Sequence, residues 1–244
     1  MPTIYLSPST QEANLYTTGG SEEYYMNQLV DRMEPYLRAS GIGFIRNSPD
    51  MTAASSIRAS NAGTYDLHLA LHSNAAPENR YGEVRGSDVY YYPGSVEGKR
   101  AAEEIARGLR GIYPGVVRTI GSDRLGEVRR TKAPSVFLEL AYHDNPEDAR
   151  WITENLDGIA ANLVESLCRY FGIPFITPVP IEAGFVRTGG GALNLREKPD
   201  RAARILRTIP NGSSVIVFSS WQGWKVIQYG GVIGYADGRY ISVL

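Results

Sequence analysis

Two hydrophobic rhythms alternate along the first two-thirds of the chain. Short apolar runs of strand length (Thr3–Leu6, Gly43–Arg46, Asp66–His72 and Ser135–Leu140) are separated by stretches with helical spacing. Tyr25, Met26, Leu29, Val30, Met33, Tyr36 and Leu37 recur at helical intervals and predict a helix from Glu22 to Ser40. Pro35 is expected to kink or shorten its last turns. Further helices are predicted near Met51–Asn61 and over Glu97–Tyr113, and the alternating Ser87–Tyr92 reads as an edge strand. Asn145 is a suitable N-cap, Pro146 suits the first helical position, and Glu147 and Asp148 complement the positive end of the helix dipole. A last helical region therefore opens there and runs to Tyr170, broken near Asp157-Gly158. This alternation predicts an α/β domain with a single mostly parallel sheet flanked by helices.

The rhythm then changes. Ile173–Pro180 holds three prolines and reads as a stiff extended linker. Beyond it come short β runs punctuated by glycine and turns: Leu193–Arg196, Ser214–Ser219, Trp224–Tyr229 and Gly234–Ala236. Several strands so closely spaced predict a small all-β barrel. The expected organisation is a catalytic domain over residues 1–173, a Pro-rich linker over 174–182 and a barrel over 183–244.

Composition narrows the function classes. Hydrophobic content of 43% with 21% charged residues is that of an ordinary globular protein. A net charge of −1 argues against nucleic acid as a partner, because such binders concentrate positive charge on one face. Cys168 is the only cysteine, so neither an intramolecular disulfide nor a cysteine metal cluster is available, and its setting reads as a small apolar position on a helix. No apolar run approaches the ~20 residues of a membrane span. Strand one begins almost at once, with no secretory leader ahead of it. The expectation is a chain held in the cytoplasm until release, or one whose leader is missing.

The chemistry gathers where predicted strands end. Leu67–Asn74 and Val136–Leu140 read as buried strands, the first reaching its end at His72 and the second at Glu139. Ligands of open α/β sheets bind in the crevice beyond the carboxyl ends of strands, so this histidine and glutamate are expected to face one site. A glutamate embedded in Val-Phe-Leu-Glu-Leu is costly to bury unless paired or bound to metal. Glu22 opens the first helix shortly after strand one, although the helix dipole alone explains an acid there. His68 shares a strand face with His72 and reads as a core residue or a support behind the site. His143 fits either the crevice or a loop-structural role. A zinc hydrolase needs three protein ligands and an open position, with a nearby carboxylate to move protons, and these residue types suit that chemistry.

Residues 3 to 171 resemble the zinc-dependent N-acetylmuramoyl-L-alanine amidases, bacterial cell-wall hydrolases with one α/β catalytic domain. Leu69-Ala70-Leu71-His72-Ser73-Asn74-Ala75 is similar to the family's "IHxNA" strand end, which carries a zinc ligand. Arg85–Tyr92 resembles its "RGxEVYYY" strand, and Arg129–Leu140 resembles "LRxTKAPAVLVELGF", whose Glu is the catalytic acid/base. Asp144–Ala149 is similar to the "SNPEDA" that follows. The resemblance implies zinc held by Glu22 (Glu23 as the fallback in register) and His72, with Glu139 taking the proton of water and returning it to the leaving amine. Arg129 becomes a candidate for positioning the anionic stem peptide or stabilising transition-state charge, with a solvated surface position as the alternative. The implied reaction is hydrolysis of the amide between N-acetylmuramic acid and L-alanine, and the implied partner is peptidoglycan.

One feature departs from the family. Its first zinc ligand is a histidine in a "DPGH" turn after strand one, whereas this chain reads Ser7-Pro8-Ser9-Thr10-Gln11-Glu12-Ala13, with no histidine before His68. Either Gln11 (or Glu12) supplies an oxygen ligand, or the metal is held by two protein ligands and water, or a histidine has been lost, for example at Ala13, and the enzyme is impaired. The expectation is a working variant site with Gln11 as ligand. The rival from another class is a non-catalytic wall-binding protein, and a stem-peptide peptidase has little motif support. Residues 183–244 resemble the bacterial SH3-like domain through Leu193–Pro199, Gly223–Val226 and Gly234-Tyr235, a module commonly taken to bind peptidoglycan. Within it Trp224 is expected in the core, and Trp221 is expected as an exposed ligand contact.

Overall fold

The strand that carries His72 lies in the middle of the sheet, and the chain builds outwards from it. In a computed structural model describing residues 1–244, β1 (Thr3–Pro8), β2 (Gly43–Arg46), β3 (Leu67–Asn74), β4 (Ser87–Tyr91), β5 (Val117–Gly121) and β6 (Ser135–Tyr142) form one sheet in the order β2-β1-β3-β6-β4-β5. Six helices accompany it: α1 (Glu22–Ala39), α2 (Ala53–Ala62), α3 (Val96–Leu109), α4 (Gly126–Arg129), α5 (Pro146–Glu154) and α6 (Leu156–Phe171). Helix α3 packs on β4, β5 and β6, α5 on β6, and α4 on β6 and α2. Strand β3 is buried from Leu67 to Ser73, which is why it reads as a near-continuous apolar run.

The sheet is mixed, not mostly parallel. Strands β1, β3 and β6 run parallel, but β4 is antiparallel to β6 and parallel to β5. The cause lies in the β3–β4 connection, which contains only a short 3-10 turn at Glu78–Arg80. Without a crossover helix the chain cannot travel back along the sheet, so β4 starts at the edge where β3 ends. Nor is Ser87–Tyr91 an edge strand. The edge is β5, whose sequence Val-Arg-Thr-Ile-Gly is largely solvent-facing and carries too little apolar signal to read as a strand. Helix α1 continues through Pro35 to Ala39 instead of shortening. Its apolar stripe of Met26, Leu29, Val30, Met33 and Leu37 is fully buried, and that burial outweighs one lost backbone hydrogen bond. The last helical region breaks at Asn155, slightly before the expected Asp157-Gly158. Cys168 is buried on α6.

By contact density the chain divides into two compact units, Ile4–Met33 with Phe44–Tyr170, and Met1–Thr3 and Glu34–Gly43 with Phe171–Leu244. The second contains β7 (Glu182–Val186), β8 (Leu193–Arg196), β9 (Ile205–Ile209), β10 (Ser214–Trp221), β11 (Trp224–Tyr229), β12 (Val232–Asp237) and β13 (Ile241–Val243). They are ordered β13-β7-β10-β11-β12-β8-β9, each pair antiparallel. Val186, Leu195, Ile209, Val217, Ile227 and Ala236 form one of its cores. Residues 34–43 belong with this unit for a physical reason. Ala39 packs with Phe218, Val226 and Tyr235, while Ser219 Oγ donates to the Ala39 carbonyl at 2.6 Å and Tyr235 OH to that of Ser40 at 2.7 Å. Trp221 and Trp224 are both half-buried against this cluster, so Trp221 is not the exposed contact expected of it.

Candidate functional site

Strand register assembles the centre of the site. His72 on β3 is paired with Glu139 on β6, Glu139 with Asp88 on β4, and Asp88 with Arg118 on β5. Directly paired residues share a face, so a row of imidazole, carboxyl, carboxylate and guanidinium runs across four neighbouring strands. Arg118 closes the row as a fork on Asp88, with Nε 2.5 Å from Oδ1 and the second nitrogen 2.9 Å from Oδ2. The reversal of β4 is what brings Asp88, near its start, level with His72, towards the end of β3, and with Glu139, which lies in the middle of β6 and not at the strand end expected of it.

Glu22 reaches the same place from the first position of α1, where its N–H donates to the Asn14 carbonyl at 2.8 Å. Its Oε1 is 2.8 Å from His72 Nδ1 and accepts from the Ser73 N–H at 3.3 Å, and its Oε2 accepts from Asn14 Nδ2 at 2.6 Å. Burial opposes its charge, but the His72 and Asn14 contacts prevail and hold its carboxyl below the ordinary range. Glu23 faces along its own helix instead, accepting from Asn27 Nδ2. Gln11 is at the rim, its Nε2 3.4 Å from His72 Nδ1 and its Oε1 accepting from Asn14. Glu12 is exposed.

The residue that sequence reasoning missed is Glu127. It lies on α4, a single turn too short to read from periodicity, and it is buried. Its Oε2 is 3.4 Å from His72 Nε2 and its Oε1 3.2 Å from His68 Nε2. His68 in turn meets Ser60 through Nδ1 at 3.0 Å, and its ring stacks on Tyr5. Glu22, His72, Glu127 and His68 thus form one buried chain of alternating acids and imidazoles. Burial pushes Glu127 up, but the two imidazoles overcome it and pull its carboxyl well down. Burial likewise works against charge on His72, and the flanking carboxylates overcome it and raise its pKa well above the usual value. The available signal was position alone: Glu127 stands two residues before the Arg129-Arg130-Thr131-Lys132 stretch that resembles the family motif.

Glu139 is the opposite case. Its Oε2 is buried with no hydrogen-bond partner. Burial pushes its pKa up to about 8; the His72 cation draws it back, while the Glu22 and Asp88 carboxylates add to the rise. A carboxyl poised near neutrality beside an imidazole is suited to taking and returning a proton. His72 also stacks on Phe137, ring centroids 4.3 Å apart, which fixes the imidazole plane. Beside His72 and Glu127 opens a cavity of about 400 Å³ walled by Ser7, Ser9, Gln11, Asn47 and Thr52. Arg129 is exposed at the end of α4 and is not brought to these groups. His143 is buried behind the strand end, with Nδ1 3.1 Å from the Ser73 carbonyl and its ring stacked on Tyr16.

No three His, Cys, Asp or Glu side chains converge as a metal cluster. The donors present still suit a zinc ion in kind: Glu22 and His72 converge, and the far nitrogen of His72 faces a carboxylate as ligating histidines commonly do. Gln11 presents its amide nitrogen to His72, while its Oε1, the atom able to ligate, accepts from Asn14 and would have to turn towards the metal.

The segment that resembled "SNPEDA" has a separate structural job. Asp144 accepts from the N–H groups of Ala76 and Gly82, Asn145 caps α5, and Asp148 accepts from Tyr142 N–H, Tyr113 OH and Arg85 Nε. These bonds fasten the β3–β4 connection to the end of β6.

A polar row across four strands of a mixed α/β sheet, with an unpartnered acid beside an imidazole, is a candidate hydrolytic site. The family described as N-acetylmuramoyl-L-alanine amidase matches residues 9–169, and the bacterial SH3 domain matches residues 191–242. The chain belongs to the N-acetylmuramoyl-L-alanine amidase family, whose members are peptidoglycan hydrolases. It is similar to the probable cell wall amidase LytH of Staphylococcus saprophyticus, 28% identical over 108 residues, covering 43% of this chain and 35% of that protein. The match therefore spans about a third of that relative's length. Among solved structures, the catalytic domain of CwlV from Bacillus (Paenibacillus) polymyxa var. colistinus aligns with a TM-score of 0.63 at 13% identity, over 71% of this chain and all of that one (100%). The amidase AmiC2 of Nostoc punctiforme aligns with a TM-score of 0.61 at 18% identity, over 70% and 97% of the two chains. At these identities the structures speak for the fold. No helix is long and apolar enough to cross a membrane.

Proposed function

We propose that this chain is a zinc-dependent peptidoglycan amidase that hydrolyses the bond between N-acetylmuramic acid and the L-alanine of the stem peptide, with its C-terminal domain engaging the wall. The observation that carries the reading is the His72–Glu139 register pair with Glu22 2.8 Å from His72. Glu22 and His72 would hold the zinc, with Gln11 as the third donor. When bound, zinc supplies Lewis acidity, acidifying water and polarising the scissile carbonyl. Glu139 takes the proton of the attacking water on its unpartnered Oε2 and returns it to the nitrogen of the leaving L-alanine. Phe137 and Glu127 fix the plane of His72, and Asn14 ties Glu22 at the helix start to Gln11 at the rim. Arg129, exposed on α4, would act on a long anionic substrate outside the row and not on the reacting atoms.

The test is digestion of purified peptidoglycan with added zinc and with a chelator, products read by mass spectrometry. Zinc-dependent release of stem peptides with a free L-alanine amine is the expected result. One observation favours a second reading, a wall-binding protein without catalysis: only two strong zinc donors meet at the site. That reading expects adsorption to the wall, no cleavage, and no retained metal after zinc is offered.

A further inference from the structure

Far from the polar row in sequence, the C-terminal unit presents an open cavity of about 460 Å³ with its own chemistry. We propose that it is a binding site for a short peptide bearing free carboxylates, and that its side chains, not those of the amidase site, give the C-terminal domain its ligand. The proposal rests on the peptidoglycan reading for the source of such a peptide, since wall stems carry carboxylates.

Charge is the first argument. Arg196, Arg201 and Arg239 line the cavity against a single acid, Asp237, which leaves a local excess of two positive charges in a chain of net charge −1. Asp237 organises these cations without cancelling them. Its Oδ1 lies 3.0 Å from Arg239 Nε, its Oδ2 lies 2.6 Å from a terminal nitrogen of the same guanidinium, and Arg201 approaches to 3.7 Å. Arg196 is set by a 2.8 Å bond to the Ala203 carbonyl. Asp237 occupies the Nε edge of Arg239 and leaves its other edge, and the Arg201 guanidinium, for a ligand carboxylate. An anchored guanidinium loses less entropy on binding than a mobile one, and arginine matches carboxylate geometry with paired hydrogen bonds.

Shape is the second argument. The cavity falls within the roughly 300–1,000 Å³ range of small-ligand sites. Trp224 and Tyr240 supply aromatic wall, and the Arg239 guanidinium lies 5.5 Å from the Tyr240 ring centroid. At one flank Thr188 and Gly191 bracket Gly189 and Gly190, which have φ of 75° and 132° and nothing within 4 Å of where a Cβ would stand. A backbone without side chains at a cavity mouth permits close approach of a second backbone. Aromatic wall, fixed guanidinium groups and an open glycine turn together suit a peptide acid better than a neutral sugar.

The experiment is calorimetric titration of the full-length chain with L-Ala-γ-D-Glu-L-Lys-D-Ala, with the same peptide amidated at its carboxylates, with an N-acetylglucosamine oligomer and with glycerol phosphate. The free-acid peptide is expected to bind, and the double variant Arg201→Ala/Arg239→Ala to bind it about tenfold or more weakly, as befits lost charge-assisted bonds. Both arginines are exposed, so the melting temperature of the variant is expected to stay at the wild-type value. Equal binding of acid and amidated peptide overturns the proposal, as does binding confined to glycerol phosphate or to the sugar oligomer. Binding abolished by His72→Ala but untouched by the arginine variant also overturns it, because the peptide then sits in the amidase site. Arginine-dependent binding by a chain that never cleaves sacculi supports this site and overturns the amidase reading alone. Cleavage by a chain whose arginine variant binds peptide like wild type overturns this site alone.

Discussion

Glu127 approaches the nitrogen of His72 that points away from Glu22, with Oε2 3.4 Å from Nε2, so one imidazole is gripped by carboxylates on both sides. A carboxylate on the far nitrogen fixes the tautomer and orientation of a ligating histidine, and losing it typically costs about 10–100-fold in metal affinity. Glu127→Gln, which keeps the shape and removes the charge, is expected to weaken zinc binding by about that factor, read by competition with a chromophoric chelator. Unchanged affinity would show that Glu127 serves His68 and the core alone.

Glu139→Gln removes the one carboxyl in the row with a buried oxygen that nothing satisfies. A general acid/base contributes about 10²–10⁴-fold to rate, so turnover on peptidoglycan is expected to fall by at least that range. The far-ultraviolet dichroism and the melting temperature should hold or improve, because a neutral amide replaces a group whose charge is penalised by burial. Retained turnover takes Glu139 out of the mechanism.

The same group sets a pH dependence in chelator-treated protein. Burial raises the Glu139 pKa to about 8 from the ordinary 4.5, with Glu22 and Asp88 adding to the rise and the His72 cation opposing it. A raised folded pKa gives a stability contribution complete below the unfolded value and lost as pH climbs through the folded one. Glu139 therefore contributes fully below 4.5, and its contribution drains away towards pH 8. Urea midpoints at a series of pH values should fall across that window in wild type and fall less in Glu139→Gln. Parallel curves would assign the loss to other groups.

Much of this was legible in the sequence, and the parts that were not share a cause. His72 stands where an apolar run ends, Glu22 where a helix begins and Glu139 as the one acid inside an apolar run, and a local pattern is enough to mark them. Glu127 and Asp88 depend on contacts made across the chain, and Asn14 on the loop that carries it to Glu22. Asp88 joins the row only because β4 reverses, and that reversal follows from a connection with no helix in it. Glu127 rides on one helical turn, below the length at which periodicity speaks. In the C-terminal unit the two tryptophans separate only in three dimensions, where Trp224 also lines a cavity. Ala39 and Ser40 pack with that unit although they close a helix belonging by sequence to the first.

Asp148 offers a test of the segment that fastens the β3–β4 connection. Fully buried, it accepts from Tyr142 N–H, Tyr113 OH at 2.8 Å and Arg85 Nε at 2.9 Å. Asp148→Ala leaves those donors without a partner, and is expected to cost about 3 kcal/mol by urea unfolding, the scale for breaking a buried charge-assisted cluster. A loss below about 1 kcal/mol, the worth of one ordinary hydrogen bond, would mean that water replaces the carboxylate without penalty.

The turn after β1 decides whether the missing histidine matters. Gln11 is exposed, is tied to Asn14, and comes within 3.4 Å of His72 Nδ1, so an imidazole at this position has room and lies beside the two donors already present. Imidazole is a stronger zinc donor than a neutral amide, and three protein ligands with one open position is the usual catalytic set. Gln11→His is therefore expected to tighten zinc binding by at least about tenfold, roughly 1.4 kcal/mol. Gln11→Ala is expected to loosen it. Both are read by equilibrium dialysis with metal analysis. If Gln11→His gains metal and peptidoglycan cleavage together, the natural turn limits a working amidase site. If it gains metal and cleavage stays absent, a lost ligand cannot be the reason for inactivity, and the wall-binding reading prevails. If neither variant moves the affinity, Gln11 is no ligand, and Glu22 and His72 hold whatever metal the site takes.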